Sequence, residues 1–166
     1  MATLISACGS GDGGGPTVAP TSAAGGRASV ADLDITGAIV PAPASPDVAA
    51  AYFTITNHGS TADDLVSVTS DVSTETGLHT YSGSSMVALP KLTIGAGRTA
   101  RLAVGSYHVM IMNPTRVLTA GQSVSLGLTF THAGTVTVTA PVVAGTGPQD
   151  DHMGSMPGMS SMPGMQ

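Results

Sequence analysis

The chain has no tryptophan, and only 3% of its residues are aromatic. Its interior must therefore be filled by Val, Leu, Ile and Ala rather than by large rings. Cys8 is its single cysteine, which excludes an internal disulfide. Charged residues make up 9% of the chain, against roughly a quarter in an average soluble protein. The five basic residues, Arg27, Lys91, Arg98, Arg101 and Arg116, are scattered, and the net charge is −5. With no basic patch to neutralise phosphates, nucleic acid is excluded as a partner. No apolar run reaches the ~20 residues of a membrane-spanning helix. The sequence also lacks a G-x-S-x-G elbow, a phosphate loop and a zinc-hydrolase motif. The paired carboxylates Asp63-Asp64 and Asp150-Asp151 have no base or nucleophile beside them and read as solvated loops. The expectation is a protein that is not an enzyme.

What is present is Thr, Val, Ser and Gly in short alternating runs, a composition that favours strands. Ala31 to Thr36 alternates polar and apolar, up to the break at Pro41, Pro43 and Pro46. Further strands are expected at Ala49–Asn57, Asp64–Ser70, Thr74–Tyr81, Met86–Ile94, Thr99–Val104, Tyr107–Met112, Ser123–Phe130 and Thr135–Val143. Turns at Asn57–Ser60, Ser82–Ser85, Gly95–Gly97 and Thr131–Gly134 separate several of them. His58 and His132 fall in two of these turns and read as solvated turn residues. Eight or nine short strands with turns every 8–12 residues predict an all-β sandwich or barrel. Residues 9–29 read as a flexible linker, residues 30–144 as the β domain and residues 145–166 as a disordered tail.

Within the β domain, four side chains share one chemistry. His108 and Met110 are two apart on an expected strand, so they leave the same face. His79 ends a strand and Met86 opens the next, and a hairpin over Tyr81–Ser85 brings them together. Two imidazoles and two thioethers, all neutral and without a thiolate, suit Cu(I). Met112 continues this face and is expected to pack beneath the site. A blue-copper electron carrier would need a cysteine thiolate, and Cys8 lies outside the β domain.

The same residues carry a family resemblance. Ala50–Asn57, Leu78-His79, Ile94–Gly97, Tyr107–Met110 and Leu126–Phe130 resemble the periplasmic copper chaperone domain PCu(A)C. That family's motif is a His, a Met ten residues on, and a His-x-Met after 21 more. Here 21 residues separate Met86 from His108, while only six separate His79 from Met86, a shorter first loop. The resemblance implies a cupredoxin-like Greek-key β-sandwich or barrel. It also implies Cu(I) delivery to a copper-accepting membrane oxidase subunit, or to another copper chaperone, in respiratory-oxidase assembly. Copper sequestration for detoxification and a cell-surface β-sandwich interaction module are the alternatives.

The termini add two expectations. Ile5-Ser6-Ala7-Cys8 resembles a bacterial lipobox, with Cys8 the lipidated residue and the preceding residues a truncated lipoprotein signal. This predicts an extracytoplasmic lipoprotein, held on the outer side of the cell membrane by its lipid anchor only. The tail holds five of the nine methionines, Met153, Met156, Met159, Met162 and Met165, together with His152. These are additional candidate copper ligands, and His152 supplies an imidazole suited to a second, Cu(II) ion.

Overall fold

The computed structural model describes residues 25–145, and every regular element in them is a strand. Eleven strands follow in chain order. They are β1 (Gly26–Val30), β2 (Leu33–Pro41), β3 (Val48–Asn57), β4 (Asp63–Ser70), β5 (Glu75–Ser82) and β6 (Ser85–Ala88). Then come β7 (Leu92–Ile94), β8 (Thr99–Arg101), β9 (His108–Met112), β10 (Ser123–Phe130) and β11 (Gly134–Val143).

Pairing runs in the order β6-β5-β9-β3-β2-β11-β10-β4-β7, with β1 added to β2 and β8 to β3. Every pairing of these strands is antiparallel except β11 with β2, where Val142 and Val143 lie opposite Val40 and Pro41. That short parallel seam joins two halves that fold face to face. Val109 and Ile111 of β9, Ala49, Ala51, Phe53 and Ile55 of β3, and Leu78 of β5 point inward from one half. They meet Leu126, Leu128, Val138, Ala140, Leu65 and Ile94 from the other in one continuous core. Each large apolar side chain buried there contributes about 1.5–3 kcal/mol. This is the expected all-β, cupredoxin-like Greek-key sandwich.

The strands depart from simple alternation where the backbone bulges. In β2 the buried positions are Leu33 and Ile35, then Ala38 and Val40, so the parity changes at Gly37. Gly37 sits at φ 66°, and the register with β3 shifts between Thr36 and Ile39. An extra residue in the ladder re-aims every side chain after it. Without this bulge, β2 could not stay buried along its full length.

Three expectations need correction. The segment read as a linker up to residue 29 contributes β1, which pairs with β2 through the turn at Ala31-Asp32. Gly26 is there for close approach, since a Cβ at this position would overlap the Thr139 carbonyl. The run Met86–Ile94 is two strands, because Pro90 cannot donate to a ladder. Asp63 and Asp64 are not solvated loop residues but open β4. Asp63 is buried and accepts backbone N–H bonds from His132 at 2.9 Å and Ala133 at 2.8 Å, which holds the β10–β11 turn. Asp64 pairs with Lys91 at 2.7 Å. His58 and His132 are solvent-exposed turn residues, as expected.

Candidate metal centre

The site lies on the outer face of the β6-β5-β9-β3 half, opposite the core. In antiparallel strands, directly opposed residues project to the same side. His79 lies opposite His108, and Gly77 opposite Met110. On the other flank of β5, Tyr81 lies opposite Met86 and His79 opposite Ala88. His79, His108, Met110 and Met86 therefore all emerge on one face. His79 is the hub, directly across from His108 and diagonal to both methionines. Its ring centroid lies 6.1 Å from that of His108. A two-residue turn, Gly83-Ser84 with Gly83 at φ 63°, closes the hairpin that carries Met86.

Both imidazoles are held in the same way. The Nδ1–H of His108 donates to the Ser106 carbonyl at 2.9 Å, and that of His79 to the Gly77 carbonyl at a longer 3.3 Å. A carbonyl can only accept, so Nδ1 carries a proton in each ring, which in the neutral imidazole leaves the lone pair on Nε2. A backbone carbonyl bonded to the far ring nitrogen in this way fixes the orientation of metal-binding histidines. His108 is 4% exposed, and its Nε2 is buried with no hydrogen-bond partner among the described residues. A buried polar atom left unpaired costs about 1–3 kcal/mol, which a cation on that lone pair would offset.

Met86, His108 and Met110 line a recess of about 380 Å³ together with Tyr52, Tyr81 and Pro43. Burial holds the Tyr52 phenol above its ordinary range, and the neighbouring Tyr81 adds to the shift. His79 and Met110 also border an adjoining depression with Gly77 and Met112. Met86 is 45% exposed. Met112 does not pack beneath the site but is 37% exposed at the end of β9. Strand parity keeps it on the outer face, which no strand of the described residues covers. No group of three or more His, Cys, Asp or Glu side chains among the described residues is placed to hold a metal ion. The donors gathered here are imidazole and thioether, the soft and borderline set.

The sequence reading passed over Tyr81 and Tyr52. Tyr81 is two residues from His79, so strand parity alone could have placed it on this face. Tyr52 reaches the recess only through the β3–β9 pairing. Cys8, His152, Met153, Met156, Met159, Met162 and Met165 lie outside the described residues.

Comparison with known proteins places this architecture among PCuAC domains. The copper-bound PCuAC domain from PmoF2 superposes with a TM-score of 0.64 at 22% identity, over 71% of this chain and 97% of that one. The CuI form of DR1885 from Deinococcus radiodurans is 33% identical with a TM-score of 0.57, over 70% of this chain and 80% of that one. The family described as "Putative lipoprotein LpqE-like" matches residues 33–142, and the chain belongs to that family. A relative named "Putative lipoprotein Lxx21020", from Leifsonia xyli subsp. xyli, is 32% identical over 116 residues, 67% of this chain and 70% of its own length.

Proposed function

We propose that this protein is an extracytoplasmic copper carrier that binds Cu(I) through His79, Met86, His108 and Met110. It passes the ion to a copper-accepting membrane oxidase subunit or to another copper chaperone. The observation that carries this reading is the buried, unpartnered Nε2 of His108. His108 lines the recess together with Met86 and Met110, and its tautomer is set by the Ser106 carbonyl. Two imidazoles and two thioethers hold a monovalent soft cation without excess charge. They also release it by stepwise ligand exchange with a partner of similar chemistry. The copper-bound forms of PmoF2 and DR1885 support the assignment by their likeness to this chain.

The carrier works outside the cytoplasm, tethered through a lipid on Cys8, in keeping with the lipoprotein family to which the chain belongs. Thioethers suit that compartment because, unlike thiols, they do not form disulfides. Anaerobic Cu(I) titration of the full chain, against a variant lacking residues 146–166, tests the proposal. One tight, colourless Cu(I) equivalent should survive the truncation and be lost in His108→Ala with the β circular dichroism unchanged. Copper binding that disappears with residues 146–166, or that persists in His108→Ala, refutes the assignment.

A further inference from the structure

Tyr81 stands beside two of the four candidate ligands, Met86 and His108. It leaves β5 on the same face as His79, and its partner across the hairpin is Met86. Its ring centroid lies 5.4 Å from that of His108, at a tilt of 35°. Met86 and His108 are on strands separated by β5. Two strand spacings put their backbones about 9–10 Å apart. The line between them crosses β5 beside Tyr81.

His79 and Tyr81 thus flank the same imidazole, and its Nε2 is sealed from water while bonded to nothing. An atom so placed takes up no ion until a neighbour moves. The strands beneath it cannot easily yield, since Val109, Ile111, Ala49 and Ala51 lock β9 and β3 into the core. Tyr81 is 44% exposed, and the β6 strand behind it is exposed along its length at the sheet edge. Tyr81 is therefore the part of the cover that can turn out at least cost.

We infer that Tyr81 gates this site: its ring closes over the His108 imidazole, swings out to admit a soft cation, and closes again to slow release. The gate rests on the copper reading for its cargo but not for its existence. Tyr81 is a positioning residue that sets exchange rate rather than affinity. An aromatic pair of this kind holds its closed rotamer by an amount equivalent to about tenfold in rate.

Two measurements test it. The first uses metal-free protein and diethyl pyrocarbonate, with His108 modification followed by mass spectrometry. His108 should react slowly in the wild type and in Tyr81→Phe, which keeps the ring. In Tyr81→Ala it should react about tenfold faster, with exposed His58 and His132 as internal references. The second follows Cu(I) transfer from the loaded protein to excess bathocuproine disulfonate. Tyr81→Ala should accelerate uptake and release alike, by about tenfold, leaving the equilibrium affinity within about threefold. Unchanged His108 reactivity in a folded Tyr81→Ala variant overturns the gate, as does equal reactivity of Tyr81→Phe and Tyr81→Ala. If His108 is unmasked in Tyr81→Ala but the wild type takes up no Cu(I), the gate stands and the copper reading falls.

Discussion

Replacing His108 with leucine separates what the residue costs the fold from what it supplies to the site. The imidazole is 4% exposed, and its Nε2 has no partner. Removing that unpaired atom should recover about 1–3 kcal/mol, because leucine fills a similar volume without a polar group. Against this stands the bond from Nδ1 to the Ser106 carbonyl, present at 2.9 Å. Its loss costs about 0.5–1.5 kcal/mol. The net expectation is a metal-free variant about 1 kcal/mol more stable than the wild type, a rise of roughly 3–5 °C in Tm for a domain of this size. Copper should reverse the order. At a thousandfold excess over Kd, ligand linkage adds about 4 kcal/mol to the wild type, whereas His108→Leu gains nothing. Thermal melts by circular dichroism, in chelator and in anaerobic Cu(I), read both arms. A variant less stable than the wild type in chelator would show that His108 is a structural residue. A variant that still gains stability from Cu(I) would remove His108 from the ligand set.

Met86→Ala should change stability by no more than about 0.5 kcal/mol, since the side chain is half exposed, yet weaken Cu(I) binding at least tenfold in a chelator competition. Met112→Ala should leave Cu(I) affinity unaltered, because that side chain borders only the adjoining depression. Asp63→Ala should cost about 2–3 kcal/mol in urea unfolding, as it leaves the His132 and Ala133 amides of the turn unpaired. Burial alone would raise the Asp63 carboxyl, but the amides of His132, Ala133 and Asp64 and the His132 side chain together hold it below the usual range. Its stabilisation is therefore complete above the unfolded-state value of about 4 and is lost as pH falls through the depressed folded value, so Asp63→Asn should flatten the acid limb of a stability–pH profile. Gly26→Val should free β1, because a side chain there collides with the Thr139 carbonyl; limited proteolysis before residue 31 would report it.

The fold class was legible because alternation survives in nearly every strand. Ser123–Phe130 reads directly as β10, and Ala49–Asn57 differs from β3 by one residue. Bulges were not legible. A change of parity at Gly37 looks like the end of a strand, and only the paired strand shows that β2 continues to Pro41. The strand β1 was hidden for a related reason: glycine signals flexibility in a linker and close backbone approach in a sandwich, and composition cannot tell them apart. Asp63 read as solvated because its partners, the amides of His132 and Ala133, are some 70 residues away in sequence.

By itself, the sequence determined the donor chemistry and half of its geometry. A period of two places His108 and Met110 on one face whatever the rest of the chain does. The tight turn at Gly83 places His79 and Met86 on neighbouring strands, since that register is local. Only the tertiary structure joined the halves, by setting β5 against β9 with His79 opposite His108. It alone decided that His108 is buried, that its Nε2 is left without a partner among the described residues, and that the Tyr81 ring lies beside it. The reason is physical: burial and hydrogen-bond satisfaction depend on which strands pair and which face is covered, and long-range pairing is set by the fit of the whole core rather than by any local run of residues.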